Sequence, residues 1–167
     1  ILKGTIPTEL GQIEFLQDFR LSTTSVSGLV PSEIGKFENL TQLFLHSNKL
    51  TGSIPSEIGN LESLSILSII LNKFTGTIPS SIGLCTSLEM ISASGNKFVG
   101  AIPKEIGLCT SLKVIGLDFN RLNSTIPSEL GSLQSLEELH FTSNYLIGTI
   151  PTQLGNCQNL TGSFEEA

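Results

Sequence analysis

The chain has 167 residues, of which 39% are hydrophobic and none is Trp, so one domain with an aliphatic core is expected. Fifteen acidic residues against nine basic ones give a net charge of −6, which argues against nucleic acid as a partner, because binding to phosphates needs a basic surface. No apolar run approaches the roughly 18 residues of a membrane-spanning helix, so no transmembrane segment is predicted.

All seven prolines fall in one register, 24 residues apart, and a fixed period of this length is typical of solenoid proteins. The sequence therefore predicts a single repeat domain over residues 1–167, with about seven repeats of 24 residues. The chain starts within a repeat, lacks an initiator Met and loses its apolar pattern at Ser163. We interpret it as a fragment truncated and uncapped at both ends, where further repeats or a partner would make end-to-end contact. The prolines are Pro7, Pro31, Pro55, Pro79, Pro103, Pro127 and Pro151.

Each repeat opens on a segment with the spacing of a short β-strand. In one repeat, Leu40 is followed by Leu43 and Leu45, and the two-residue step between the last pair directs both side chains to one face. Equivalent strands of successive repeats must pair in parallel. This pattern predicts a parallel sheet that runs the length of the molecule.

A column of asparagines follows the strand, with Thr24 in its place in the first repeat. Stacked amide side chains can satisfy the backbone groups that lose their sheet partners where a strand ends. We therefore predict a structural role for this column and a looser turn at Thr24. The asparagines are Asn48, Asn72, Asn96, Asn120 and Asn144.

The second half of each repeat follows the pattern Gly-x-Ile-Pro-x-x-Ile-Gly, as in the segment from Gly52 to Gly59. The first glycine predicts a positive φ or a close backbone approach. The x-Ile-Pro segment predicts a second short strand that ends at the proline, because proline cannot donate to a sheet. The remaining residues are too few for a stable α-helix, so a 3₁₀ turn closed by the second glycine is expected.

The three cysteines, Cys85, Cys109 and Cys157, occupy one column of the repeat, whose other members are apolar. This pattern favours free thiols packed as small hydrophobic side chains. A Cys85–Cys109 disulfide between neighbouring turns stays open as an alternative, because stacked turns lie about 4.8 Å apart. No His or acidic residue is in phase with the thiols, so no metal site is predicted.

Catalytic motifs are missing from the sequence. His46 and His140 are nearly four repeats apart, roughly 19 Å at strand spacing, so they cannot share a metal ion. The chain contains no Gly-x-Ser-x-Gly, P-loop or His-Glu-x-x-His motif. We therefore expect no enzymatic activity and no cofactor.

The unit LxxLxxLxLxxNxLxGxIPxxLGxL resembles the plant-type leucine-rich repeat, and residues 40–61 and 136–157 match it best. The departures are Thr24 for Asn, Val30 for Ile, Ala93 for Leu and Ser124 for Gly, and none of them threatens the fold. The resemblance implies an α/β solenoid, a curved right-handed coil with a parallel β-sheet on its concave face. Short second strands and 3₁₀ turns would occupy the other sides.

The resemblance also implies a non-enzymatic module at the cell surface or outside the cell, which recognises proteins or peptides on its concave sheet. The family includes ectodomains of receptor-like kinases and receptor-like proteins, as well as polygalacturonase-inhibiting proteins. Three Asn-x-Ser/Thr sequons are consistent with a secreted glycoprotein. They begin at Asn39, Asn123 and Asn159.

Alternation along the main strands identifies the side chains that face outward on the concave sheet. The middle of this surface is apolar and contains small residues, whereas polar residues lie at both ends, which predicts a shallow trough that binds an extended peptide or a protein loop. The alternative is that Ile and Val simply favour strands. The candidate binding residues are Phe44, His46, Ile66, Ile70, Leu71, Met90, Val114, Asp118, Phe119 and His140.

Two columns of like charge accompany the strands. Either column can be a solvated edge of the molecule. The basic column can alternatively contact an acidic peptide, a carboxylate-rich polysaccharide or an acidic partner protein. The basic column, which flanks the trough, consists of Lys49, Lys73, Lys97 and Arg121. The acidic column consists of Glu9, Glu33, Glu57, Glu105 and Glu129.

The leading hypothesis is thus a protein- or peptide-binding module, and two alternatives accompany it. An inhibitor of a secreted cell-wall-degrading enzyme would use the same concave face. A structural or surface-adsorbing protein, for adhesion or ice binding, would use a hydroxyl column that Leu29 and Ala101 interrupt. That column consists of Thr5, Ser53, Thr77, Thr125 and Thr149.

Overall fold

A computed structural model describes residues 2–161 of the chain. Ser163, where the apolar pattern is predicted to end, lies outside these residues. Within them the chain winds into successive coils, and a typical coil contains a main strand, a second strand and a 3₁₀ helix. The main and second strands both pair in parallel with their counterparts in neighbouring coils, which confirms the predicted leucine-rich-repeat type of solenoid.

The main strands form one six-stranded parallel sheet, ordered as the coils follow one another in the chain. Paired residues are 24 positions apart, as with Leu43 and Leu67, so equivalent residues of successive coils lie side by side. The sheet is therefore the one that the leucine spacing predicts. The main strands are Asp18–Arg20, Gln42–Phe44, Ile66–Ser68, Met90–Ser92, Val114–Gly116 and Glu138–His140.

The second strands form a four-stranded and a two-stranded parallel sheet. Their paired residues are only 22 positions apart, as with Thr51 and Lys73. Equivalent residues of successive coils are therefore offset by two positions across these sheets. The second strands are Lys3–Gly4, Ser25–Gly28, Lys49–Gly52, Lys73–Phe74, Val99–Gly100 and Arg121–Leu122.

The predicted position of the second strand, on the x-Ile-Pro segment, is wrong. The strand instead begins one to three residues after the asparagine and ends at or before the glycine. The cause is visible at Gly52, whose φ of +75° turns the chain out of the sheet before Ile54 and Pro55. Ile54 still points into the core, as the alternation predicts.

Each Ile-Pro segment leads into a five-residue 3₁₀ helix, as the sequence predicts. The proline adopts the extended conformation immediately before the helix, and the residue after the helix donates its N–H to a carbonyl inside it. The 3₁₀ helices are Thr8–Gln12, Ser32–Lys36, Ser56–Asn60, Ser80–Leu84, Lys104–Leu108, Ser128–Ser132 and Thr152–Asn156.

One core runs along the solenoid between the sheets and the 3₁₀ helices. Most of its side chains are aliphatic, but Phe37, Phe74 and Phe98 are fully buried as well. The rings of Phe74 and Phe98, from consecutive coils, stack with centroids 6.0 Å apart and planes 7° from parallel. Because each coil shares its core residues with its neighbours, stability depends on stacking rather than on any single coil.

The asparagine column connects consecutive coils, as predicted. The side-chain amide of Asn96 donates to the carbonyl of Ile69 in the preceding coil and to that of Ala93 in its own, both at 3.0 Å. Its Oδ1 accepts the backbone N–H of Phe74 at 3.1 Å. In residues 2–161, no fully buried side-chain nitrogen or oxygen lacks a hydrogen-bond partner. The column therefore satisfies the backbone where the strands end.

Candidate binding surface on the concave sheet

The main sheet brings the predicted binding residues together in straight rows across the coils. One row contains Ile66, Met90 and Val114, which are direct register partners in neighbouring strands. The next row places Ser68, Ser92 and Gly116 side by side, with Phe44 at one end and His140 at the other. This second row holds the smallest side chains of the surface between two large rings.

The small row forms the floor of the trough. Ser68 and Gly116 are buried, whereas Ile66, Met90, Val114 and Ile70 are only half-buried. Gly116 has no steric reason to be glycine, because a Cβ there would meet its nearest neighbour, Ser94 Oγ, at an ordinary 3.4 Å. The missing side chain thus deepens the trough without being required by the fold.

The strand-exit row, one position before the asparagines, adopts the left-handed conformation in every coil. Leu71 and Phe119 have φ values of +54° and +52°, a conformation that costs a non-glycine residue on the order of 1 kcal/mol. Their backbone N–H groups donate to the carbonyl oxygens of Ser94 and Thr142 in the next coil at 3.0 and 2.9 Å. These hydrogen bonds stabilise the left-handed conformation. Gly95 is the single residue of the row whose type signals this turn, so the sequence does not predict the left-handed conformation of the other members. The row consists of Thr23, Ser47, Leu71, Gly95, Phe119 and Ser143.

This row supplies an exposed apolar edge beside the trough. The side chains of Leu71 and Phe119 are 60% and 64% exposed. Between them, Gly95 leaves room into which Leu71 leans, because a Cβ on Gly95 would lie 2.9 Å from Leu71 Cδ2. The sequence predicts both apolar residues as binding residues, and the structure places them at the rim rather than on the floor.

The N-terminal end of the trough is polar and internally connected. Arg20 pairs with Asp18 at 2.8 Å and donates to Gln42 Oε1 at 2.8 Å. Its guanidinium carbon lies 4.6 Å from the ring centroid of Phe44, a cation–π distance. Phe44 is therefore partly covered by a side chain that the sequence analysis did not single out. The His46 ring meets the Phe44 ring edge-on, with centroids 6.2 Å apart.

At the C-terminal end, two predicted binding residues are engaged within the protein. Asp118 accepts the backbone N–H of Thr142 at 2.9 Å and the hydroxyl of Ser94 at 3.3 Å, so its carboxylate bridges three coils. His140 lies 3.1 Å from Glu138. Asp118 thus links neighbouring strands of the concave surface, and His140 is half-buried at the margin of that surface.

Neither charged column lies on the main strands that carry the trough. The basic residues are exposed, and three of them, Lys49, Lys73 and Arg121, open a second strand, whereas Lys97 lies two residues before one. The acidic residues are on the 3₁₀ helices, on another side of the coil, at Glu9, Glu33, Glu57, Glu105 and Glu129.

The cysteine column is buried and unpaired. Burial raises the pKa of Cys85 to about 12, with a further contribution from Cys109, and burial raises the pKa of Cys109 to about 11. Each Sγ faces a backbone carbonyl of the preceding coil, Ile58 for Cys85 at 3.2 Å and Ile82 for Cys109 at 3.3 Å. Thiols with such pKa values are poor nucleophiles at neutral pH.

Neither a metal cluster nor a membrane helix is found in the described part of the chain. No group of three His, Cys, Asp or Glu side chains in residues 2–161 could hold a metal ion. No helix in the same range is both long and apolar enough to span a bilayer. The sequon residues Asn39, Asn123 and Asn159 are all exposed, although the Asn39 amide nitrogen donates to the carbonyl of Glu14 at 3.3 Å.

Comparison with known proteins assigns the repeats. The Leucine Rich Repeat family model matches residues 39–61, 111–133 and 135–157. The solved structure of the plant peptide hormone receptor RGFR1 in complex with RGF2 superposes with a TM-score of 0.94 at 42% identity over 95% of this chain. The chain is a plant-type leucine-rich repeat protein. No curated protein sequence matches it significantly.

Other solved structures define how far this leucine-rich repeat chain extends along its relatives. The ectodomain of the Arabidopsis thaliana receptor kinase GASSHO1/SCHENGEN3, in complex with CASPARIAN STRIP INTEGRITY FACTOR 2, has a TM-score of 0.95 and 37% identity over 96% of this chain. This chain spans 26% of the RGFR1 chain and 19% of the GASSHO1 chain. A plant ice-binding protein shares the fold, with a TM-score of 0.79 at 24% identity over 97% of this chain and 60% of its own.

Proposed function

We propose that this leucine-rich repeat chain is a non-enzymatic recognition module, located outside the cell or at its surface, that binds an extended peptide or protein loop along its concave sheet. The observation that carries the proposal is the apolar trough over Ile66, Met90 and Val114, with its floor of small residues and its polar ends. An apolar surface with a polar rim is typical of an interaction site.

The hydrogen-bonding state of the sheet constrains how a ligand binds. The inner main strands are paired on both sides, so a peptide cannot join the sheet as an additional strand at the trough. Recognition must therefore come from side chains, with apolar ligand groups seated on the small row and against Leu71 and Phe119. A rigid surface loses little conformational entropy on binding, so more of its contact energy remains to offset the ordering of an extended, flexible ligand.

The related structures support the same class of function. RGFR1 is a peptide hormone receptor solved with RGF2, and the GASSHO1 ectodomain was solved with CASPARIAN STRIP INTEGRITY FACTOR 2. By analogy, we propose that the present chain belongs to a receptor ectodomain or a secreted binder. The related structures bear on the fold and the class of ligand, whereas the binding residues are inferred from the concave surface of this chain alone.

Two other functions use features of the same molecule. An inhibitor of a secreted pectin-degrading enzyme would bind that enzyme on the concave sheet, and mixing the two would abolish the enzyme's activity. An ice-binding protein would need a regular flat row of hydroxyls, and the exposed threonine column is broken by Leu29 and Ala101. An ice-growth assay distinguishes this function from peptide binding.

The test begins with peptides selected from a random library for binding to the wild-type chain. Changing Ile70→Asp together with Met90→Asp places two charges in the trough, so we expect affinity for the selected peptides to fall at least about tenfold. The matched control is Leu84→Asp with Leu108→Asp, two exposed leucines on the 3₁₀ side that should leave affinity unchanged. Equal affinity of both variants, with unfolding temperatures like that of the wild type, would contradict the proposal.

A further inference from the structure

The sulfur atoms of the chain fall into two groups that differ in their access to solvent. Three belong to the thiols of the cysteine column, and the other is the thioether of Met90, the single methionine of the sequence. Cys85 and Cys109 are fully buried and Cys157 is 5% exposed, whereas Met90 is half-buried on the concave sheet. A small oxidant dissolved in water therefore reaches the thioether far more easily than the thiols.

The thiols are protected by their protonation state as well as by burial. A peroxide oxidises a cysteine through its thiolate, and burial raises the pKa of Cys85 to about 12 and that of Cys109 to about 11. Burial also raises the pKa of Cys157. A thioether has no proton to lose, so its oxidation does not depend on ionisation. Met90 is thus the sulfur that a peroxide oxidises first in the folded chain.

Met90 lies at the centre of the trough. Its register partners are Ile66 on one side and Val114 on the other, so apolar residues flank it in both directions across the coils. Along its own strand, the next outward residue is Ser92, which belongs to the row of small residues on the trough floor. A ligand that lies along the trough must therefore cover the Met90 side chain.

We propose that Met90 is a site of reversible oxidation by a hydroperoxide, and that its sulfoxide switches off recognition by the trough. A sulfur lone pair attacks one peroxide oxygen, so the S–O bond forms as the O–O bond breaks. The proton of the transferred oxygen passes to the departing hydroxide, which leaves as water when the oxidant is hydrogen peroxide. The sulfur loses an electron pair and the peroxide gains it. This inference rests on the proposed function, because it needs a ligand that occupies the trough.

Oxidation makes the centre of the trough polar without affecting the core. The sulfoxide oxygen accepts hydrogen bonds, and an apolar ligand group that covers it would bury it without a donor. The side chains of the register partners, Ile66 and Val114, have no donor to offer. Met90 does not belong to the hydrophobic core, so we expect the oxidised chain to unfold at the same temperature as the reduced chain.

The first part of the test is chemical and needs no ligand. Hydrogen peroxide at neutral pH should add one oxygen atom to the folded chain, and peptide mapping by mass spectrometry should locate it on Met90. All three thiols should remain titratable after subsequent unfolding, and Met90→Leu should gain no oxygen. Oxidation of a cysteine before Met90 would overturn the proposal. A Met90 that stays reduced while free methionine in the same solution is oxidised would overturn it as well.

The second part measures affinity by calorimetry, with peptides selected from a random library for binding to both the wild-type chain and Met90→Leu. Oxidation of the wild type should weaken binding at least about tenfold, and methionine sulfoxide reductases for both epimers should restore it. Met90→Leu, compared with itself before and after peroxide, should change by less than about twofold. Unchanged affinity of the fully oxidised wild type, or an equal loss in peroxide-treated Met90→Leu, would overturn the proposal.

Ile70→Asp, which keeps Met90, separates this proposal from the proposed function. If Ile70→Asp loses affinity and the oxidised wild type does not, the trough binds the peptides and the oxidation switch is wrong. If both keep the affinity of the untreated wild type, the trough is not the binding site and both proposals fail.

Discussion

Three glycines from different coils of this solenoid differ in why the position is glycine. Gly52 turns the chain with a positive φ, whereas Gly107 is required because a Cβ would lie 2.5 Å from the carbonyl oxygen of Glu129 in the next coil. Gly116 meets neither demand, since its φ is not positive and a Cβ would have space. The first two follow from how coils turn and stack, and the third affects only the shape of the trough.

This difference gives a prediction for two identical substitutions. Gly107→Ala should lower the free energy of unfolding by about 1–3 kcal/mol, because the coils must separate to admit the methyl group. Gly116→Ala should leave it unchanged or raise it by about 0.4–1 kcal/mol, because alanine restricts the unfolded chain and fits the folded one. Urea unfolding of both variants measures the difference. A loss of stability for Gly116→Ala as large as that for Gly107→Ala would contradict the geometry.

At the residue scale, the sequence predicted the asparagine column correctly, because an amide can meet several backbone groups and few other side chains can. It did not predict the left-handed strand exits at Leu71 and Phe119. Large residues disfavour that conformation, so nothing in their identity signals it, and the next coil's carbonyls hold it in place. It also did not predict that Arg20 covers Phe44, because that contact depends on side-chain conformation.

At the scale of elements, the main strands and 3₁₀ helices were predictable, whereas the position of the second strand was not. The two-residue alternation continues through the x-Ile-Pro segment, as the burial of Ile78 and Ile102 shows, so periodicity alone extends the strand too far. The strand instead stops where glycine turns the chain. Alternation therefore predicts which side chains are buried, but not which amides are paired.

Hydrogen exchange tests this placement of the second strand directly. The amides of Thr75 and Val99 donate to Gly52 and Gly76 of the preceding coils at 2.8 and 2.9 Å, so they should exchange slowly. In residues 2–161 the amides of Ile78 and Ile102 have no backbone or side-chain acceptor, so they should exchange faster than the first pair. Slower exchange at Ile78 and Ile102 than at Thr75 and Val99 would place the strand on the x-Ile-Pro segment after all.

At the scale of the whole molecule, each side of the solenoid carries a different chemistry. Because the same position recurs in every coil, a side chain added once per repeat becomes a row along the molecule. The concave sheet carries apolar and small residues, and the segments that contain the second strands carry cations and hydroxyls. The 3₁₀ helices carry all five members of the acidic column. The repeat period predicts these rows from the sequence, whereas the burial of Ser68 and Gly116, which sets the depth of the trough, follows only from the folded structure.

The proposed function requires the trough on the concave sheet to bind the ligand. The most direct test is calorimetry of a selected peptide with Gly116→Phe, which fills the floor of the trough at a position where a Cβ makes only ordinary contacts. The control is Ser132→Phe, an exposed residue at the end of a 3₁₀ helix. We expect the peptide's affinity to fall at least about tenfold for Gly116→Phe and to stay at the wild-type value for Ser132→Phe. Wild-type affinity for a folded Gly116→Phe variant would contradict it.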